Sequence, residues 1–351
     1  MVKSKDLVVR DQFYNGNFKH EHAAVVLRLA KSWFRFGSLE ILASSKEFDL
    51  LRVLTDFIIE HHFPHISLSS ESRYLELFSD IVENTAHMVA RWQSVGFTHG
   101  VMNTDNFSIL SITIDYGPFG FLDEYNPKFV PNTSDDEGRY SYEKQPDVAR
   151  FNLDKLREAL LPLLNHHQAS VMETILNGFD VQYKYFFMKI FRRKLGLFEN
   201  QEEDEELVAY FLHMMERTQA DFTISFRNLA DWTYDDMVNS RVPKELWALK
   251  IVSGSDLFGE WTQRMIRRLS ASIVTESERR QEMRSVNPRY VLRNWIAQLA
   301  IEYAEADDGE FVSKVLSILS KPFQEQQAAE ALGFADPPPA FAKNNKVSCS
   351  S

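Results

Sequence analysis

The sequence predicts an α+β protein with a small, β-containing start and a large, mostly helical remainder. Two short runs rich in β-branched residues open the chain, Leu7 to Val9 and Ala23 to Ala30, and such residues favour strands. From Ser44 onward, apolar residues recur every three or four positions, which is the period of an amphipathic helix. After about Phe151, amphipathic segments with few glycines predict helices almost throughout.

Local signals predict the first elements. The tetrapeptide Tyr14-Asn15-Gly16-Asn17 lies between the two β-like runs and is typical of a hairpin turn. A helix is expected around Phe48 to Ile58, with Ser45 as its N-cap. A second helix is expected from about Glu71 to Ser94, and Gly96 should end it.

Composition excludes several classes of protein. Hydrophobic residues make up 44% and charged residues 25% of the 351 residues, the proportions of a soluble globular protein. The net charge of -11 argues against a general nucleic-acid binder, and the lack of a long apolar run argues against a membrane span. The single cysteine, Cys349, excludes an internal disulfide framework. We expect the acidic run Gln201 to Glu206 to be a solvated helix start and residues 336–351 to be a disordered tail.

The segment from Phe97 to Tyr125, FTHGVMNTDNFSILSITIDYGPFGFLDEY, carries the most specific signal, and we call it the site segment. Turn residues flank an apolar run with strand propensity, so a strand or tight hairpin would bring its two polar ends into one cleft. Asp105, Asn106 and Asp115 would offer hard oxygen ligands there, suited to Mg²⁺ shared with phosphate oxygens. One carboxylate could stay off the metal and accept a proton from a hydroxyl. Gly117 would let the chain turn sharply away.

Each part of this set has a simpler interpretation when taken alone. NTDN alone would be an ordinary turn, and His99 alone is more often a core or orienting histidine. The ordered set of His99, Asp105, Asn106 and then Asp115-Tyr116-Gly117 matches the order of parts in a protein-kinase-like site. One departure is plain, because a protein kinase has its asparagine five residues after the catalytic aspartate, whereas Asp105 directly precedes Asn106. By themselves these residues indicate ordinary phosphoryl transfer.

The site segment from His99 closely resembles the hallmark segment of the selenoprotein O family of kinase-fold protein adenylyltransferases. VVRDQFYNGN, RLAKSWFRFGSLE and NPRYVLRNWIAQLAIEYAE resemble other segments of that family in the same order, and the resemblance covers essentially the whole chain. It implies a protein-kinase-like fold, with residues 1–43 as a partial, β-containing N-lobe. Residues 44–335 would then form a mostly helical C-lobe with a helical C-terminal extension.

The resemblance also implies roles for individual residues. Asp105 would be the catalytic base, and Asn106 and Asp115 would bind Mg²⁺, with Asp115 also at the nucleotide. Arg28 and Arg35 would contact the nucleotide phosphates, for which planar guanidinium groups are well suited. ATP would be the substrate, and AMP would pass to Ser, Thr or Tyr hydroxyls of partner proteins. Neither nucleic acid nor a membrane span is expected.

Further expectations follow from the same resemblance. Cys349 would be a possible redox residue standing in for, or next to, a selenocysteine, although an unpaired tail thiol without a role is an equal alternative. The location would be mitochondrial, or otherwise cytoplasmic. The family's glycine-rich segment and nucleotide-binding lysine should lie upstream of VVRDQFYNGN, so a fragment of low activity is expected. Two alternatives stay open, a non-catalytic kinase-fold (pseudokinase) interaction module and an ordinary protein phosphotransferase.

Overall fold

A computed structural model of the chain describes residues 2–11 and 18–344. Helices dominate, and two small antiparallel sheets accompany them, which confirms the α+β prediction. The first sheet pairs β1 (Val2–Arg10) with β2 (Lys19–Val25), and the second pairs β3 (Phe97–Thr98) with β4 (Gly120–Phe121). Within the described ranges, no helix is both long and apolar enough to cross a bilayer.

The N-terminal hairpin forms as predicted, with Leu7 opposite His22. Its predicted turn, Tyr14 to Asn17, lies outside the described residues. The second strand is shorter than expected, because it ends at Val25 and does not continue to Ala30. Beyond Val25 the chain turns towards the site segment, where the Arg28 guanidinium donates a hydrogen bond to the Ile114 carbonyl oxygen.

The first helix, α1 (Phe36–Ser44), was not predicted from the sequence. This helix is short and includes a glycine and two serines, so its periodic signal is weak. Ser45 is therefore not the N-cap of the next helix, as predicted, but the C-cap of α1. The N-cap of α2 (Phe48–His62) is Glu47 instead. Lys46, which lies between the two helices, has a φ of 59°.

The second predicted helix is confirmed as α3 (Arg73–Ser94), and Gly96 follows it with a φ of 71°. Twelve further helices occupy most of the described chain after the site segment, beginning slightly earlier than the predicted position near Phe151. They are α4 (Gln145–Leu160), α5 (His166–Asn177), α6 (Phe179–Leu195), α7 (Asp204–Thr218), α8 (Phe222–Leu229), α9 (Tyr234–Val238), α10 (Trp247–Val252), α11 (Phe258–Ser270), α12 (Glu276–Val286), α13 (Asn294–Glu305), α14 (Gly309–Leu319) and α15 (Gln327–Glu330).

Three apolar cores hold these helices together. The first joins α1 to α6 with the apolar run of the site segment, including Phe107 and Ile109. The second lies among α6 to α12, and the third joins α8 and α10 to the helices α13 to α15. The site segment therefore lies against the largest group of early helices, and its apolar residues are part of their core.

The acidic run before α7 departs from the prediction at one residue. Asp204 starts the helix, but its side chain is fully buried and accepts a hydrogen bond of 2.8 Å from Arg268 Nε. Its neighbours Glu202, Glu203 and Glu205 are exposed, as expected. A buried carboxylate needs a paired cation, and Arg268 lies too far along the chain for the sequence pattern to reveal the pair.

The division into an N-lobe remnant, a C-lobe and a tail stays a prediction. A short 3-10 helix over Ala340–Asn344 lies inside the region predicted to be a tail. Cys349 falls outside the described residues, so its suggested redox role also stays a prediction.

Candidate functional site

The strands β3 and β4 close the middle of the site segment into a loop. Phe97 pairs with Phe121 and Thr98 pairs with Gly120, so residues 99–119 begin and end at the same place. Gly100 fits this closure because its φ is 83°, and a Cβ there would overlap the carbonyl oxygen of Pro118. Gly117, which was predicted to let the chain turn away, lies in a bend with Pro118, although its φ is not among the positive values of the described residues.

The apolar run inside the loop is a tight hairpin. Phe107 and Thr113 form an antiparallel bridge, and Ser111 makes the turn with a φ of 49°. Phe107 and Ile109 are buried in the first core, which fixes the hairpin against the helices. Of the two possibilities left open by the sequence, the tight hairpin is thus the one observed. Asn106 directly precedes this hairpin and Asp115 follows it by two residues, so the polar groups lie at its two ends.

Asp105 is the exposed residue of a 3-10 turn, Thr104–Asn106, beside the start of α1. The Asp105 carboxylate occupies the space above Gly37, the second residue of α1, where a Cβ would overlap its Oδ1. The Thr104 hydroxyl donates a hydrogen bond of 2.6 Å to Glu40, one turn further along the helix. The first turns of α1 therefore support the Asp105 turn.

Asn106 and Asp115 keep oxygen atoms available. The Asn106 side-chain nitrogen donates a hydrogen bond of 3.0 Å to the Val101 carbonyl oxygen, which leaves the Asn106 side-chain oxygen as a ligand. Asp115 is half-buried, and Asp105 is exposed. Within the described part of the chain, neither carboxylate has an ion-pair partner, and no group of three His, Cys, Asp or Glu residues could hold a metal.

Both predicted arginines reach the hairpin. The Arg28 guanidinium lies 3.3 Å from the carbonyl oxygen of Ile114, the residue before Asp115, and 5.0 Å from the centre of the Trp33 ring. Arg35 forms a backbone bridge with Ser108 at the other side of the hairpin. The Nε atom of Arg35 is buried without a hydrogen-bond partner. The structure therefore brings Arg28, Arg35, Asp105, Asn106 and Asp115 around one short hairpin.

His99 is buried beneath this hairpin. Its backbone N–H donates to Gln145, and its Nδ1 accepts a hydrogen bond from the Val101 N–H at 3.4 Å. Burial lowers the pKa of His99 to about 4, and the negative charge of nearby Asp115 only partly opposes this. The ring is thus neutral at pH 7 with its proton on Nε2. This environment favours an orienting core histidine over a metal ligand.

Two buried polar side chains on α4 were missed. The Gln145 side chain donates to the Phe97 carbonyl oxygen at 2.9 Å, and the Asn152 side chain donates to the Met102 carbonyl oxygen at 2.8 Å. These bonds hold the backbone of the site segment before the Asp105 turn. A signal was available, because the two residues are seven apart on an amphipathic helix and therefore face the same side.

A buried ion-pair cluster ties the end of the site segment to the C-terminal helices. Arg293, the N-cap of α13, lies 2.6 Å from Asp123 and 2.6 Å from Asp221 and is almost completely buried. Burial alone would lower the pKa of Arg293, but the two carboxylates raise it above its usual value. Asp221 also caps α8 by accepting a hydrogen bond from the Ile224 N–H. No local sequence signal predicts this cluster, because its members lie far apart in the chain.

Comparison with known proteins identifies the family of this chain. The family profile described as "Protein adenylyltransferase SelO" matches residues 1–320. The chain is 40% identical over 334 residues to a protein of Flavobacterium johnsoniae, and 41% identical over 331 residues to one of Myxococcus xanthus. It is 39% identical over 358 residues to a protein of Xanthomonas campestris. All three relatives carry the name "Protein nucleotidyltransferase YdiU".

These matches cover 93%, 94% and 100% of this chain but only 63%, 66% and 68% of the respective relatives. The chain thus spans about two thirds of the length of the curated relatives that it matches. The profile match extends over the N-terminal hairpin, the site segment and most of the C-terminal helices. On this evidence the chain belongs to the SelO family.

Proposed function

We propose that this protein is a Mg²⁺-dependent adenylyltransferase that transfers AMP from ATP to Ser, Thr or Tyr hydroxyls of other proteins, on a protein-kinase-like fold. The observation that carries the proposal is the closed loop of residues 99–119, which contains two carboxylates and an asparagine and which two arginines contact. Family membership and the names of the relatives support nucleotidyl transfer. The choice of AMP as the transferred group follows from the family.

The residues present fit a magnesium ion. Mg²⁺ usually takes one or two protein oxygens and completes its octahedral shell with water and phosphate oxygens. The Asn106 side-chain oxygen is oriented by the hydrogen bond from its nitrogen to Val101, and the Asp115 carboxylate is accessible. These two residues would hold the ion. When bound, the ion would offset negative charge on the nucleotide phosphates.

The arginines are suited to the remaining phosphate charge. Arg28 uses one N–H for the Ile114 carbonyl, and a guanidinium carries five N–H donors in all. Arg35 has a buried Nε without a partner, and its backbone is fixed by the bridge to Ser108. Both cations lie at the hairpin, and exposed Arg28 has further N–H donors for phosphate oxygens, which favours binding of a polyphosphate over binding of a neutral ligand.

Asp105 is suited to be the proton acceptor. Its carboxylate is exposed and has no ion-pair partner among the described residues, so a substrate hydroxyl can approach it. As the hydroxyl oxygen bonds to the α-phosphorus, its proton passes to Asp105. The bond from the α-phosphorus to the oxygen that bridges to the β-phosphate breaks, and pyrophosphate leaves. Arg28 and Arg35 would stabilise the charge that develops on the leaving group.

Nucleotide binding tests the assignment of the site residues. We expect Asp115→Asn to lose the Mg²⁺-dependent part of ATP affinity, because one of two protein ligands is weakened. Arg28→Ala should weaken ATP binding more than adenosine binding, because only phosphate contacts are removed. Titration calorimetry with and without Mg²⁺ measures both effects, and Asp180→Asn, an exposed acid on α6, serves as the control.

Two results would contradict the proposal. ATP affinity in Mg²⁺ that is the same for Asp115→Asn and the wild type would remove Asp115 from the metal site. If Arg28→Ala weakened the binding of ATP and of adenosine equally, the loss would come from damage to the fold. Arg28 would then not be a phosphate contact.

A further inference from the structure

The backbone conformation of Gly37 does not require a glycine. It is the second residue of the nine-residue helix α1, and its φ is not among the positive values of the described residues. A glycine inside a helix costs about 1 kcal/mol relative to alanine. The reason lies outside the helix, because a Cβ at Gly37 would come well under 3.0 Å from Asp105 Oδ1 and to 3.2 Å from Asp105 Cγ.

The same helix holds the Asp105 turn at two further points. Glu40 accepts the hydrogen bond from the Thr104 hydroxyl at 2.6 Å. The Phe36 N–H donates to the Phe107 carbonyl oxygen at 2.9 Å, on the other side of Asp105. The Asp105 turn is therefore held to α1 both before and after Asp105, so a change at Gly37 should act chiefly on the carboxylate.

We propose that Gly37 is a positioning residue for Asp105, a role that rests on the proposed function. The missing Cβ lets the carboxylate lie over the first turn of α1. A Cβ would push the carboxylate away by about 1 Å to reach ordinary contact distance, and a misplacement of about 1 Å at a reacting group costs of order 10²-fold in rate.

The chain offers a closely matched control. Gly259 is also the second residue of a helix, α11, and also follows a phenylalanine. A Cβ at Gly259 would meet nothing within 4 Å. Gly37→Ala and Gly259→Ala therefore make the same change at the same helix position, with and without a carboxylate in the way.

The first measurement compares the full chains in AMP transfer. We expect Gly259→Ala to leave kcat and KM unchanged. Gly37→Ala should lower kcat by about 10²-fold and leave the KM for ATP nearly unchanged, because the phosphate and metal contacts stay in place. A merely structural role for Gly37 would instead raise the KM for ATP. An unchanged kcat for Gly37→Ala would overturn the positioning role.

The second measurement does not depend on activity. Gly259→Ala should raise the melting temperature, and Gly37→Ala should raise it by the same amount only when Asp105→Ala is also present. In the wild-type background the rise should be smaller or reversed, because the carboxylate is displaced. Equal effects in both backgrounds would overturn the contact and leave the proposed function intact. Wild-type transfer by Asp105→Ala would instead overturn the proposed role of Asp105, while the thermal comparison would still report on the contact.

Discussion

Lys194 provides the clearest prediction of stability. It lies in the last turn of α6 and is almost completely buried, with its Nζ 4.4 Å from the centre of the Phe226 ring and 5.8 Å from that of Phe222. Among the described residues no carboxylate pairs with it, and burial is the cause of its altered pKa. Burial lowers the pKa of Lys194 to about 7 from its usual 10.5. We expect Lys194→Met to stabilise the protein at neutral and acidic pH, because it removes a desolvated charge and keeps the volume.

The magnitude follows from the pKa. The difference between about 7 and 10.5 corresponds to a penalty of about 5 kcal/mol for the folded chain at pH values well below 7. Between pH 7 and 10.5 the unfolded chain binds one more proton than the folded chain, so the free energy of unfolding of the wild type rises with pH. Lys194→Met should lack this rise, so its advantage should shrink towards pH 10.

Urea unfolding at several values between pH 6 and pH 10 measures this effect. Lys184→Met is the control, because Lys184 lies on the exposed side of the same helix, where it pairs with an exposed glutamate. We expect the control to differ from the wild type by no more than about 0.5 kcal/mol. A stability difference between Lys194→Met and the wild type that does not vary with pH would refute the reasoning, as would a loss of stability at pH 6.

Two further predictions concern the closure of the site. Gly100→Ala should destabilise the protein by about 3 kcal/mol, because the φ of Gly100 is positive and a Cβ there would overlap a backbone oxygen. Gly117→Ala should cost less than about 1 kcal/mol, because a Cβ at Gly117 would meet only Asp115 at ordinary contact distance. Urea unfolding of both variants measures the two costs, and equal costs would contradict the prediction. Arg293→Met should destabilise the protein by about 3–5 kcal/mol, because Asp123 and Asp221 would stay buried without their cation. Adding Asp123→Asn and Asp221→Asn to this variant should restore stability, and a triple variant that stays equally unstable would contradict the reasoning.

Local signals in the sequence were enough for much of the fold. The N-terminal hairpin and α3 have strong patterns, β-branched runs in one case and a long apolar face in the other, and both are confirmed. Helix α1 was missed because it is short and contains Gly37, whose purpose lies in a contact with Asp105 that is distant in sequence. Ser45 was misassigned for a similar reason. A serine can cap the start of one helix or end the preceding one, and the local sequence does not distinguish the two.

The sequence predicts the residue types of the candidate site but not the geometry that supports them. Residue order within the site segment and the resemblance to a family identified Asp105, Asn106 and Asp115, while their support could not be seen locally. Gln145 and Asn152 hold the segment from a helix about 50 residues further along. Arg293 lies 170 residues from Asp123. Such contacts depend on tertiary packing, which a pattern of neighbouring residues does not encode.

The central claim is tested most directly by determining which phosphorus atom of ATP is transferred. The full chain is incubated with Mg²⁺, a mixture of candidate protein acceptors and ATP labelled on either the α- or the γ-phosphorus. We expect protein-bound label from α-labelled ATP alone, with release of pyrophosphate, and loss of that label in Asp105→Asn and Asp115→Asn. Protein-bound label from γ-labelled ATP alone would mean ordinary phosphoryl transfer, and α-label that persists in both variants would mean that the site is elsewhere.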